Sequence, residues 1–283
     1  PRRRIPCPGF FTLKEEARVY RCWRKDGHGR VNLQQALEQS CDVYFYQLGL
    51  RLGITGISNA LTKFGFGEKT GVDLSGEPSG LVPTPGWKHK RNNSPWYPGD
   101  TLNTSIGQGY VLTTPMQLAV AAAAIANRGR LVRPRLLRGV ENPRTGKIER
   151  PAEQVEEILL GDASQYKRVI DGMIAVMHGE RGTARSSSQR LAYRVAGKTG
   201  TSQLVSIAQS GTTAKVLPAH LKDHALFIAF APVDRPRVAL AIVIENGGSG
   251  GQVAAPIARR IFDYYFIERL RRASQSAVDH FHG

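Results

Sequence analysis

Val195-Ala196-Gly197-Lys198-Thr199-Gly200-Thr201-Ser202-Gln203 opens from a β-like lead-in into a cation, two threonine hydroxyls and two glycines. Gly197 and Gly200 carry no Cβ, so a second backbone can approach closely there. On a strand, Thr199 and Thr201 project from one face and Lys198 from the other. A strand edge with free N–H groups, hydroxyl donors and an ammonium suits an extended peptide that ends in a carboxylate. Lys-Thr-Gly alone is short and common, and a surface turn with a lone lysine would also carry it. The rest of the chain has to decide.

Length and composition leave room for an ordinary folded core. The 283 residues are 41% hydrophobic and 22% charged, which suits one large or two small domains rather than a disordered chain. No apolar run reaches the ~18 residues of a membrane span. The basic start PRRRIPC lacks the apolar stretch of a signal peptide, so any membrane anchor is expected outside this chain. The net charge of +16 raises the question of nucleic acid. Its basic residues, however, are scattered through segments 2–4, 88–91, 128–138 and 259–272 without a nucleic-acid motif. A solvated, arginine-rich surface accounts for them, and no nucleic-acid partner is expected.

Along the chain, the first thirty residues show no sustained period and read as loop. Asn32 then caps an apolar face of Leu33, Ala36 and Leu37, and Val43, Tyr44, Leu48 and Leu52 continue at helical spacing to Gly53. Ser40-Cys41-Asp42 therefore falls at a junction between two helices. A short helix is expected over residues 57–64. Residues 65–109 turn rich in Gly, Pro, Trp and Asn and read as one long irregular segment with turns at Pro78, Pro85 and Pro98. Thr114 caps a helix that has Pro115 at its first position and Gly129 past its end. Residues 130–140 look extended, with a turn at Asn142-Pro143, and Ala163–His178 reads as an amphipathic helix. Short β-rich runs follow at 193–197, 225–231 and 237–245, the last two joined as a hairpin, and then a glycine stop at 247–251 and a closing helix over 254–270. A helical first part beside a strand-rich last part fits an α+β arrangement with an antiparallel sheet.

Lys-Thr-Gly, Ser-x-x-Lys and Ser-x-Asn together mark penicillin-binding proteins and class A β-lactamases. Ser40-Cys41-Asp42 stands where the Ser-x-Asn motif belongs, ahead of Lys198. Six blocks in order carry the same likeness: GHGRVNLQQALEQSCDVYFYQLG (27–49), KFGFGEKTGVDLSGE (63–77), PWYPGDTLNTSIGQGYVLTTPMQLA (95–119), GTA (182–184), AGKTGTSQ (196–203) and ENGG (245–248). On these the chain resembles the transpeptidase domain of class B penicillin-binding proteins, most closely the elongation-specific penicillin-binding protein 2 branch. The resemblance implies a penicillin-binding transpeptidase / serine β-lactamase-like α/β (α+β) fold, an antiparallel sheet flanked by helices with an all-α subdomain. It divides the chain into a zinc-stabilised loop region (1–31), a mainly helical part (32–190) with the groove segment 65–109, strands and a closing helix (191–270), and a flexible tail (271–283).

It further implies a D,D-transpeptidase that acts on peptidoglycan stem peptides during cell elongation and is acylated by β-lactam antibiotics. Ser40 would relay a proton, and Asp42 would stand in the motif's third place, where the wider family has Asn and a carboxylate cannot donate as an amide does. Lys198 would tune the proton network. Thr199, Gly200, Thr201 and Ser202 would line the substrate, with the Thr201 N–H as an oxyanion donor. Implied partners are a SEDS glycosyltransferase and an MreC-type scaffold, at an inner-membrane-anchored, periplasmic location.

The nucleophile is the departure from this pattern. Ser164-Gln165-Tyr166-Lys167 is the one Ser-x-x-Lys in the chain. It lies between the second and third motifs and opens a helix, where a serine usually caps. The catalytic serine and its lysine are therefore expected upstream of this chain. A serine β-lactamase is a second reading, opposed by the 65–109 segment and by the lack of a recognisable deacylating Glu. A non-catalytic sensor or scaffold that keeps the groove is a third.

All three cysteines, Cys7, Cys22 and Cys41, fall in the first 41 residues with His28 among them. Cys₃His is a common structural-zinc set, although no Cys-x-x-Cys is present, and one disulfide with a spare thiol would also satisfy the count. The resemblance favours zinc, because the elongation-type branch holds zinc at the matching positions. Cys41 lies inside the Ser40–Asp42 motif, so the ion would tie the preceding loop to the active site.

Overall fold

Three antiparallel strands form the sheet on which the rest of the fold is assembled: β9 (Ala196–Ser202), β10 (His224–Ala231) and β11 (Val238–Ile244), in the order β11-β10-β9. The computed structural model describes residues 3–14, 17–157, 162–203 and 219–269. The tail at 271–283 and the last residue of the expected closing helix lie outside them. Register pairs Thr201 with Ala225 and Lys198 with Ile228. The strand thus runs through the Lys-Thr-Gly motif itself, whereas the apolar run 193–197 pointed to its lead-in.

Gly197 is where Phe227 passes across β9: a Cβ there would lie 2.5 Å from the Phe227 ring. Phe227, Phe230 and Phe262 are fully buried, each worth roughly 1.5–3 kcal/mol of burial. They anchor helices α6 (Ala163–His178) and α7 (Ala255–Asp263) to the sheet, with Val176, Met177 and Ala258 filling between them. The closing helix α7 begins within a residue of the expected start, but a helical segment over Gly250–Ala254 precedes it. Gly250 and Gly251 are not a flexible stop but the buried first turn of a wide-turn segment leading into α7. A Cβ on Gly250 would meet the Leu226 carbonyl oxygen at 2.3 Å and that of Gly200 at 2.5 Å. Glycine there lets the helix end rest directly on β9 and β10.

The helical part holds α1 (Leu33–Glu38), α2 (Asp42–Lys63) and α5 (Pro115–Ala126). Asn32 and Gln35 form a capping box on α1, and Thr114 with Gln117 forms one on α5. Gly53 has φ +65° and breaks α2, and the second half resumes at once rather than at residue 57. Asp162, not Ser164, caps α6: its carboxylate accepts from the Ser164 and Gln165 N–H groups.

Two expected irregular regions are ordered. Residues 65–109 contain α3 (Pro85–Asn92) and α4 (Pro98–Ser105). Pro85 and Pro98, taken as turn markers, sit at the first helical positions, where the fixed φ favours a helix start. The first thirty residues, expected as loop, pair as β1 (Ile5–Cys7) with β4 (Gly29–Val31) and β2 (Phe10–Thr12) with β3 (Val19–Arg21). Three-residue strands are too short for alternation to be visible in sequence. The arm over 130–157 carries β5 (Arg130–Val132) against β8 (Val155–Glu157), and β6 (Val140–Glu141) against β7 (Ile148–Glu149).

Candidate active site and metal-ligand cluster

Ser40 occupies the junction between α1 and α2 with φ +53°, a left-handed conformation that costs a non-glycine residue of order 1 kcal/mol and is held by its surroundings. The Cys41 N–H donates to the Ala36 carbonyl at 2.9 Å and the Ser40 N–H to the Leu37 carbonyl at 3.3 Å, which closes α1 and turns the chain into α2. The Ser40 hydroxyl accepts from Lys198 Nζ at 2.6 Å across 158 residues of sequence. Lys198 also donates to the Thr199 carbonyl at 2.9 Å.

Burial pushes the Lys198 ammonium down to about 8, partly offset by the Asp42 carboxylate, which favours the charge. Burial pushes Asp42 up to about 7, with the negative charge on Cys22 acting in the same direction. The Asp42 carboxylate accepts from the Trp23 N–H at 2.9 Å. For Lys198 the unfolded state, near 10.4, holds more protons than the fold between about pH 8 and 10, so this group's contribution to stability rises with pH through that window. We expect the Lys198 amine, followed by NMR of the side chain, to titrate near pH 8 and Asp42→Asn to lower the midpoint further. A midpoint above 10 in both proteins would remove the interaction.

The remaining predicted residues divide between the two faces of β9. The Thr199 hydroxyl, on the face opposite Lys198 as parity requires, is bonded to that of Thr183 at 2.8 Å. Thr201 is exposed, Gly200 packs under the closing helix segment, and Ser202 lies opposite His224. Sequence reasoning assigned no role to Thr183, Trp23 or Gln108. Gln108 Nε2 donates to the Thr201 carbonyl at 2.6 Å, and the Gln203 N–H donates to Gln108 Oε1 at 3.4 Å. Thr183 and Gln108 both lie inside blocks quoted above, as polar residues between glycines or small residues, and that was the available signal.

Cys7, Cys22, His28 and Cys41 are all buried, and their ligand atoms lie within 4.8 Å of one another. The three cysteines are free thiols. Cys41 is the N-cap residue of α2 but makes no side-chain cap, which leaves its sulfur to the cluster. His28 Nδ1 is 3.5 Å from the Sγ atoms of both Cys7 and Cys22. Tetrahedral bonds of about 2.3 Å to sulfur and 2.0 Å to nitrogen would separate S from N by roughly 3.5 Å, so the donor set fits zinc. Protonation points the same way. A hydrogen bond from Cys41 drives Cys22 down to about 3, the same contact pushes Cys41 up, and burial pushes Cys7 up. Buried thiols that cannot all ionise together are relieved by a divalent cation.

The family described as "Penicillin binding protein transpeptidase domain" matches residues 1–263. Peptidoglycan D,D-transpeptidase MrdA of Salmonella typhimurium is 39% identical over 257 residues, 90% of this chain and 41% of that protein. Among solved structures, Pseudomonas aeruginosa PBP2 in complex with WCK 5153 has a TM-score of 0.81 at 39% identity, covering 93% of this chain and 54% of that one. The complex between PBP2 and MreC from Helicobacter pylori has a TM-score of 0.79 at 34% identity, covering 93% and 45%. The chain thus spans about four-tenths of the length of the curated relative.

Proposed function

Because the chain belongs to the penicillin-binding protein transpeptidase domain family, we propose that it supplies the second and third catalytic motifs of a peptidoglycan D,D-transpeptidase of the elongation type, a β-lactam target. The observation that carries the reading is the 2.6 Å contact of Lys198 Nζ with Ser40 Oγ, which joins the two motifs through one proton path. The acylated serine and its lysine come from sequence outside these 283 residues. Ser164 does not fit that role, since its hydroxyl donates to Asp162 at 2.6 Å while Lys167 pairs with Asp171.

The serine attacks the penultimate D-alanine carbonyl of a stem peptide, and the acyl-enzyme passes the chain to a second stem peptide. Ser40 hands the proton to the departing D-alanine, and Lys198, kept easy to deprotonate by burial, sets the proton affinity of that path. The Thr201 N–H stabilises the oxyanion, an interaction of about 3–4 kcal/mol in comparable sites. The Thr201 hydroxyl receives the terminal carboxylate. Thr199 can donate there while it accepts from Thr183, which makes Thr183 part of the same hydroxyl pair.

Cys7, Cys22, His28 and Cys41 would hold a structural zinc ion, His28 Nδ1 being the ring nitrogen that faces the thiols. The ion would supply a cross-link between the N-terminal loop and α2, not chemistry. The loop it would fix carries Trp23, whose N–H holds the Asp42 carboxylate. The domain works in the periplasm beside its substrate, tethered to the inner membrane by a segment outside this chain. An MreC-type scaffold, supported by the Helicobacter pylori complex, and a SEDS glycosyltransferase are its partners.

Peptide-mapped mass spectrometry after benzylpenicillin tests the assignment, on this chain and on the protein extended to include the Ser-x-x-Lys segment. The expected adduct is confined to the added serine, and Lys198→Ala slows its formation by roughly a hundredfold or more. An adduct on Ser164, or unchanged acylation in Lys198→Ala, would refute the reading.

A further inference from the structure

Among the described residues β9 pairs with β10 on one side only. Alternate residues of an antiparallel strand turn both backbone groups to the same side. The Thr201 carbonyl meets Gln108, so Thr199, Thr201 and Gln203 present their backbone groups to the open edge of β9. This is the edge that an extended acyl-donor peptide would join. It is already engaged. The carboxamide of Gln108 donates to the Thr201 carbonyl at 2.6 Å and accepts from the Gln203 N–H at 3.4 Å, occupying one acceptor and one donor that the backbone of an added strand would use.

The segment that delivers this side chain is a tight turn flanked by two glycines. Gln108 stands between Gly107 (φ +75°) and Gly109 (φ +77°), its own N–H tied to the Asn103 carbonyl at 3.0 Å. Nothing lies within 4 Å of where a Cβ on Gly107 would be, so the turn is open on that side, whereas a Cβ on Gly109 would lie 3.2 Å from Asn103.

We propose that the Gln108 carboxamide is a gate on β9, filling the strand edge at Thr201 and Gln203 until an acyl-donor amide displaces it. The inference rests on the transpeptidase reading above. An acyl donor then forms its bond to Thr201 only by breaking the one to Gln108, so the gate weakens binding of every donor by a common factor and favours donors with a further amide to offer.

The test is the second-order rate of acylation by a fluorescent penicillin in the extended protein. Gln108→Ala is expected to raise it roughly two- to tenfold, the range of one net hydrogen bond. Gln108→Met, which keeps the length but cannot donate, should do the same. A strut that merely supports β9 would give slower acylation when removed, so an unchanged or lower rate in both variants overturns the gate while leaving the transpeptidase reading intact. Absence of acylation in wild type and variants alike would overturn both. A ligand-free readout on this chain is independent of the chemistry. The Gln108 side-chain NH₂ protons should exchange slowly, and solvent-like exchange would also overturn the proposal.

Discussion

Stripping metal from the Cys7, Cys22, His28 and Cys41 cluster with a strong chelator is expected to lower the melting temperature by roughly 10 °C. At about 2 °C per kcal/mol for a domain of this size, that corresponds to a loss of ~5 kcal/mol. The figure lies well below the ~10–16 kcal/mol of an isolated zinc finger because most of this fold has its own core. Buried clusters around Phe227 and around Met173 do not depend on the ion, whereas Tyr20, Val31, Ala36 and Tyr46 pack directly around its ligands. Loss of metal should therefore loosen β1–β4 and the α1–α2 junction before it reaches the sheet. Cys41→Ser tests the same point without a chelator and should match most of the chelator effect. Elemental analysis that finds no metal, together with an unchanged melting curve, would end the proposal. Three reactive thiols on denaturation without reductant are expected, and a count of one would point to the disulfide instead.

How much of this was legible beforehand depended on which physical signal each segment carries. Caps and periodic faces were plain: Asn32, Thr114 with Pro115, and the whole of α6 are local patterns that tertiary packing did not override. The pairing of Ser40 with Lys198 could be expected only from the resemblance, since nothing in a sequence separation of 158 encodes a 2.6 Å contact. Proline misled where it opens a helix rather than a turn, at Pro85 and Pro98. Glycine misled at 250–251, where it marks close approach to β9 rather than freedom. The placement of the Thr199 hydroxyl was half foreseen: parity separated it from Lys198, but parity says nothing of Thr183.

Lys88 was the larger misreading, counted among the solvated basic residues of the 88–91 cluster and found 4% exposed. Its ammonium lies 2.5 Å from the Asp100 carboxylate, and the two side chains are 5% and 16% exposed. Tyr97, Tyr110 and Trp96 surround the cation at 4.6, 5.7 and 5.9 Å from their ring centres. A charge can be buried at this cost only when it is both paired and caged. The same Asp100 carboxylate accepts from the Tyr97 N–H at 2.8 Å, so one pair joins α3 to the start of α4. Lys88→Met fills the same channel but leaves that carboxylate without its counter-charge. It is expected to cost about 3–5 kcal/mol in urea unfolding. Lys88→Met with Asp100→Asn should cost less than the sum of the two, because the second change removes the stranded charge. A Lys88→Met loss below about 1 kcal/mol would show the pair to be solvent-screened, as an exposed ion pair is. The consequence reaches the active site through Tyr110, two residues from Gln108. In Lys88→Met the Gln108 amide should lose part of its exchange protection, because the cage fixes the segment from which that side chain reaches β9.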